Sequence, residues 1–300
     1  MSVIQVEQLT KDYGGNKGVF DVTFAIEKGE VFGFLGPNGA GKTTTIRHIL
    51  GFSKPDRGRT SVDRLDSWKQ PEQIQKKLGY LAGEIAFPLD MTGTQFLRFM
   101  AELRGVKDMG RAEKLIQRFD LDPRGALKRM SKGMKQKVGI VCAFMHDPDI
   151  LVLDEPTSGL DPLMQSAFID LVAEEKERGK TILMSSHMFE EVEKTCDRIG
   201  IIKQGRLVTV LDSEQIRHAR KKQFKLEFIT REDCERFHGE TLQFAGFSPE
   251  KCQARVVVRD EEVNAFIRIL SGYRLKFLTE VKQTLEDYFM HFYGGDGHVQ

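Results

Sequence analysis

Several scarcities in this sequence narrow what the chain is. No apolar run approaches the roughly 18 to 20 residues that a membrane-spanning helix needs, so any action at a membrane requires another chain to supply the span. The N-terminus, Met1-Ser2-Val3-Ile4-Gln5-Val6-Glu7, lacks the basic start and apolar core of a signal peptide. The four cysteines, Cys142, Cys196, Cys234 and Cys252, are widely spaced and form no C-x-x-C pair. Cysteines this sparse suit a reducing cytosol, and Cys142, inside the apolar run Val138 to Met145, reads as a small buried hydrophobe. A formal net charge of +1 gives no electrostatic reason to expect a nucleic-acid partner. Internal repeats and low-complexity segments are also missing, which leaves an ordinary folded chain. Its 300 residues, 40% hydrophobic and 30% charged, suffice for one large domain or two smaller ones.

What is present begins with Gly36-Pro37-Asn38-Gly39-Ala40-Gly41-Lys42-Thr43, a full match to the phosphate-loop pattern G-x-x-x-x-G-K-[ST]. The run before it, Glu30 to Leu35, is short and apolar, as a buried parallel strand should be. The run after it, Thr44 to Leu50, has helical spacing and stops at Gly51. Strand, glycine loop and helix together let successive N–H groups converge on phosphate oxygens at a helix N-terminus. Lys42 would reach the β- and γ-phosphates, and the Thr43 hydroxyl would take a magnesium position. The bland alternative is a glycine-rich turn with a surface lysine, and the flanks argue against it. A nucleoside triphosphate is the expected ligand.

The second motif, Ile150-Leu151-Val152-Leu153-Asp154-Glu155, delivers two carboxylates to a strand end. Asp154 is placed to hold magnesium, directly or through water, and Glu155 to polarise an attacking water. The third, Met130-Ser131-Lys132-Gly133-Met134, offers an N-cap oxygen and free N–H groups at a helix start, which read alone is only a capped helix. Ser158-Gly159-Leu160-Asp161 follows the carboxylates, and Ser185-Ser186-His187 follows the strand Thr181 to Met184. A lone histidine is usually a surface or core residue; one at a strand end beyond two nucleotide motifs is a candidate for sensing the γ-phosphate.

In this order the motifs resemble the ATP-binding subunits of ABC transporters, over about Val3 to Leu211. The resemblance implies that Gly36 to Thr43 is the Walker A loop and Ile150 to Glu155 the Walker B strand. Gly36, Pro37, Asn38, Gly39, Ala40, Gly41, Lys42, Thr43 and Thr44 would bind nucleotide. Lys42, Glu155 and His187 form the expected catalytic set, and Thr43, Asp154 and Glu84 the expected metal set. Met130 to Met134 falls where the family carries L-S-G-G-Q, so Ser131 and Gly133 would meet nucleotide held by a second subunit. Tyr13 falls where the family stacks an aromatic on adenine; a strand-flanking core tyrosine is the alternative. One departure stands out. Gly79-Tyr80-Leu81-Ala82-Gly83-Glu84 replaces a run that usually ends in glutamine, leaving Gly83 or Glu84 at that position.

The expected fold is α/β: a P-loop NTPase core with an antiparallel subdomain and an inserted helical region. Strand alternation at Val22, Phe24 and Ile26 supports the first, and helical spacing from Asp90 to Gly139 the second. We divide the chain into an ATPase domain, 1–215, and a small α+β accessory domain, 216–300, behind the basic run Arg217 to Lys222. In the latter, Phe224 to Phe228 and Arg255 to Val258 read as strands and Glu261 to Leu270 as a helix, with Val281, Leu285 and Phe289 on one helical face. Thr284 to Phe289 resembles, more weakly, the C-terminal extensions of ABC-2-type subunits.

The resemblance implies ATP and Mg2+ as cofactors, a transmembrane permease as partner and a second ATPase subunit, identical or not. It implies a place in the cytoplasm, peripheral on the inner face of the cell membrane, and work in export. A soluble ABC ATPase acting as a nucleotide-switched clamp is the alternative, although such chains usually carry two cassettes or long coiled coils. An inert ATP-binding module is a third reading, opposed by the presence of both Glu155 and His187. Phe87-Pro88-Leu89-Asp90-Met91, followed by Phe96 and Phe99, forms an apolar patch expected to dock a cytoplasmic helix of the permease; core packing is the alternative for Leu97 and Met100.

Overall fold

The computed structural model describes residues 2–88, 90–213 and 221–281. The chain forms two compact units, Met1–Ser213 and Glu214–Gln300.

The first unit carries two sheets. Strands β1 (Ser2–Asp12), β2 (Gly18–Glu27), β4 (Arg57–Val62) and β5 (Leu65–Asp66) form an antiparallel sheet in the order β2-β1-β4-β5. Val6 pairs with Phe24 and Leu9 with Val22, so the alternating apolar positions of β2 point into the core. The second sheet has six strands in the order β10-β9-β3-β8-β7-β6. Here β3 (Val31–Leu35), β6 (Leu78–Leu81), β7 (Ile150–Asp154), β8 (Thr181–Ser186) and β9 (Arg198–Lys203) run parallel, and β10 (Arg206–Asp212) closes one edge antiparallel to β9. Every residue of β3, β7 and β8 is buried, which is why these strands read as unbroken apolar runs. Phe24 of the first sheet stacks on Phe32 of the second at 5.1 Å, joining the two in one core.

Helix α1 (Lys42–Ile49) follows β3 directly, and α2 (Pro71–Lys77) leads into β6. The helical region between β6 and β7 consists of α3 (Gly93–Leu103), α4 (Gly110–Arg118) and α5 (Lys132–Phe144). Local caps set their starts. Thr92 and Gln95 close a capping box on α3, and the Ser131 hydroxyl accepts the Met134 N–H at 3.2 Å on α5. Helix α6 (Pro162–Glu177) is capped by Asp161, and α7 (Phe189–Thr195) follows β8.

The second unit runs β11 (Lys221–Phe228), α8 (Arg231–His238), β12 (Gln243–Ser248), β13 (Gln253–Arg259), α9 (Val263–Leu270) and β14 (Leu275–Val281). Its antiparallel sheet has the order β12-β13-β11-β14, a ferredoxin-like split βαβ arrangement around Leu226, Phe228, Phe237, Val256 and Phe266. Two elements go beyond the sequence reading, α8 and β12. The buried stripe of α8 is little more than Cys234 and Phe237, and Gly246 breaks the alternation of β12 where its register shifts. Val281 is not on a helical face: it ends β14, paired with Gln223 of β11. Leu285, Phe289 and the Thr284–Phe289 run lie outside the described residues, as does Leu89. Among the described residues no helix is long and apolar enough to cross a membrane.

Candidate functional site

The site lies at the C-terminal ends of β3, β7 and β8, where a parallel sheet delivers the loops that follow its strands. Beyond β3 the chain turns at Gly39 and Gly41 with φ of 80° and 111°. Only glycine holds the second conformation without strain, and a Cβ at Gly41 would also come within 2.8 Å of Val19. Gly41 is the N-cap of α1 and offers no side-chain cap, so the first N–H groups of the helix face the loop. Lys42 is buried, and its Nζ donates to the carbonyls of Gly36 at 2.6 Å and Pro37 at 3.2 Å. The loop thus holds its own cation pointing back over itself.

Three contacts tie this loop to the carboxylates. The Thr43 hydroxyl donates to Asp154 Oδ2 at 2.7 Å. Lys42 Nζ lies 3.1 Å from Glu155 Oε1, and His187 Nδ1 lies 2.9 Å from Glu155 Oε2. Glu155 therefore stands between a buried lysine and a half-exposed histidine. Its backbone has φ of 48°, which turns the chain out of β7 and costs on the order of 1 kcal/mol for a non-glycine residue.

Two residues that the sequence reading passed over hold that turn. The Ser185 hydroxyl donates to Asp154 Oδ1 and accepts the Glu155 N–H at 3.1 Å. Gln136 of α5 donates through Nε2 to the carbonyls of Glu155 and Pro156, at 3.2 and 2.8 Å. Tyr80 of β6 stands nearby, its phenol pushed up to about 12 by burial and by the charge of Asp154.

Two clefts open around these groups. One, of about 490 Å³, runs from Tyr13 past Asn38, Gly39 and Thr44 to Glu155. Tyr13 is 57% exposed beside it, so the structure places this ring at the cleft and not in the core. The other, of about 590 Å³, joins Thr43, Asp154, Glu155 and His187 to Arg47 and Glu84. Gly83 lies against Asp154, where a Cβ would meet Oδ2 at 3.3 Å, while Glu84 is exposed at the cleft wall. Thr43 and Asp154 offer a hydroxyl and a carboxylate oxygen in hydrogen-bond contact beside the phosphate loop. That hard-oxygen pair fits a magnesium ion completed by phosphates and water, the usual way this ion is held. Among the described residues no cluster of three or more acidic, histidine or cysteine side chains forms a separate metal cage.

Ser131 and Gly133 line neither cleft. They sit at the start of α5 against the loop after β7: Gly133 packs so closely on Gly159 that a Cβ would come within 2.6 Å of its carbonyl. Lys132, lying over Gly159, donates to the Ser158 hydroxyl at 2.8 Å and reaches the second cleft. The structure thus brings Lys42, Thr43, Asp154, Glu155 and His187 together and leaves Ser131 and Gly133 apart from them.

Comparison with known proteins agrees with this geometry. Residues 19–158 match the family model described as ABC transporter. The chain is 37% identical to the linearmycin resistance ATP-binding protein LnrL of Bacillus subtilis, over 69% of this chain and 68% of that protein. It is 29% identical to the bacitracin transport ATP-binding protein BcrA of Enterococcus faecalis, over 98% of this chain and 97% of that protein. A solved structure of an ATP-binding subunit of an ABC transporter superposes with a TM-score of 0.66 and 33% identity, over 73% of this chain and 93% of that one. This chain belongs to the ABC transporter family, as one of its ATP-binding, ATP-hydrolysing subunits.

Proposed function

We propose that this subunit drives export through a separate transmembrane permease, working as a dimer that closes around two ATP molecules. The observation that carries this reading is the placement of Glu155 between Lys42 and His187, next to the Thr43–Asp154 pair. Lys42 and the N–H groups of Gly39, Ala40, Gly41, Thr43 and Thr44 cradle the phosphates. Gly36, Pro37 and Asn38 shape the loop, and Tyr13 stacks on the base. Glu155 takes a proton from the attacking water, and His187 fixes the orientation of that carboxylate and senses the γ-phosphate. Thr43 and Asp154 would hold a magnesium ion, and Glu84, which lines the same cleft, would add a carboxylate to the set. When bound, it neutralises charge developing on the phosphate oxygens.

Ser131 and Gly133 complete the site from a second subunit. Their separation from Lys42 within one chain supports this, since each cleft alone lacks the second anion-binding helix start. Closure then assembles the catalytic site, and hydrolysis releases it. The subunit would work from the cytoplasm, on the inner face of the membrane. The relatives named for resistance and bacitracin transport favour export of a small toxic compound over a clamp on a soluble assembly.

The test is purification from membranes with this chain as bait. A co-purifying polytopic membrane protein that stimulates ATP hydrolysis is the expected result. A soluble ribosomal or DNA-bound assembly in its place would refute the transport reading.

A further inference from the structure

Glu191 has no part in the roles assigned above, yet it is the buried acid nearest in sequence to His187. It lies in α7 and is 4% exposed. Its Oε2 accepts a hydrogen bond from the Ser186 hydroxyl at 2.6 Å, while its Oε1 is buried with no hydrogen-bond partner. No cation pairs with it among the described residues. A carboxylate anion in such a place would forfeit its hydration with only one donor to replace it, which costs several kcal/mol. A neutral carboxylic acid avoids most of that cost. Burial does push this carboxyl up, to about 7, and the charge of Glu155 adds to the effect.

What Glu191 holds is the turn that presents His187. The Ser186 hydroxyl accepts the Met188 N–H at 2.9 Å, folding the chain around residue 187 in a short side-chain turn. A hydroxyl has one proton to give, and with Met188 O at 3.5 Å and Glu191 Oε2 at 2.6 Å, it goes to Glu191. The acid thereby fixes the rotamer of the group that shapes the turn. Glu191 is itself anchored from below, its carbonyl accepting the Thr195 hydroxyl at 2.7 Å. On the near side the Thr157 hydroxyl, two residues beyond Glu155, lies close to the carboxyl. The buried acid therefore touches both segments that carry the Glu155–His187 pair.

We propose that Glu191 is a positioning residue of the ATPase site, a neutral buried acid that locks the Ser186–Met188 turn and so sets His187 against Glu155. This rests on the reading of His187 as part of the site. An ionised Glu191 would serve less well, because the charge would sit close to Glu155 and pull water into the turn.

The experiment compares steady-state ATP hydrolysis by the full chain carrying Glu191→Gln, Glu191→Ala, His187→Ala and the double change Glu191→Ala with His187→Ala. Glutamine keeps the acceptor oxygen without a charge, so Glu191→Gln should stay within about 2-fold of the parent kcat. Glu191→Ala should lose 10-fold or more in kcat with the ATP KM changed less than about 2-fold, and the double change should be no slower than His187→Ala alone. Parent-like kcat in Glu191→Ala, or equal losses in Gln and Ala, would overturn the proposal, as would additive losses in the double variant. If Glu191→Ala fails to fold, the Gln variant decides: a 10-fold loss there rejects the neutral acid, and retention supports it. Full activity in His187→Ala would instead bring down the reading of the site itself.

Discussion

Glu155 and Lys42, 113 positions apart in the sequence and 3.1 Å apart in space, form an ion pair across the mouth of the phosphate loop. The same carboxylate meets His187 through its other oxygen at 2.9 Å. On the proposed reading, a γ-phosphate arriving at Lys42 would compete with Glu155 for that cation and free Oε1 to face a water molecule. Nucleotide binding and the readiness of Glu155 would thereby be linked through one lysine.

On the proposed reading, Ser131 and Gly133, which lie apart from this cluster, complete the site of a second subunit. Lys42→Ala and Ser131→Arg should each abolish ATP hydrolysis in a homogeneous preparation. Mixed, they can restore one intact site per dimer, so activity should return to a fraction of the parent rate. An unchanged rate in Ser131→Arg alone would show that the second helix start has no part in the site.

The buried acid also makes stability depend on pH. The Glu191 carboxyl is pushed up from 4.5 to about 7, chiefly by burial, against the hydrogen bond from Ser186 and the nearby Thr157 hydroxyl, with Glu155 adding to the rise. The charge of Glu191 in turn adds to the burial that pushes the neighbouring Cys196 thiol up to about 12. A raised pKa means that the folded state holds the proton more tightly. Its contribution is full below about pH 4.5 and is lost as pH rises through 7, with about 3 kcal/mol at stake. Glu191→Gln should therefore unfold at higher denaturant than the parent at pH 8, with the gap closing at pH 5. Equal midpoints at pH 8 would show that burial does not raise this carboxyl.

The apolar patch before α3 yields a third expectation. Phe87 is half-buried, edge-on to Phe96 at 4.9 Å, while Phe99 is 42% exposed and Leu97 is in the core. Core packing therefore accounts for Leu97, and Phe99 remains available to a partner. Phe87→Asp or Phe99→Asp should abolish co-purification with the permease while the isolated subunit still binds ATP. Folded variants that still assemble and show partner-stimulated hydrolysis would remove this patch from the interface.

What was legible in the sequence was local. Gly36 to Thr43 announces itself because strand, loop and helix are contiguous, and Asp154-Glu155 because a buried strand ends on two charges. Ser185 and Gln136 were not legible as site residues, since each acts across a tertiary contact, 31 and 19 residues from its partner Asp154 or Glu155. Glu191 reads as one more acid in Phe189-Glu190-Glu191-Val192-Glu193; only packing distinguishes it from its exposed or half-buried neighbours. For Tyr13 the sequence favours adenine stacking through the family resemblance alone, because residues flanking a strand carry no periodicity to decide which way a ring points. In the second unit, α8 and β12 were missed because two buried residues, or an alternation broken at Gly246, give too short a pattern to register.

The central claim is that Glu155 activates the attacking water, and Glu155→Gln tests it most directly. The amide preserves shape and removes the base, and it also releases Lys42 from its ion pair. ATP binding should persist or tighten, hydrolysis should fall by about 10²–10⁴-fold, and a closed dimer should accumulate with ATP in size-exclusion chromatography. Near-parent turnover by Glu155→Gln, with no ATP-dependent dimer, would contradict the account.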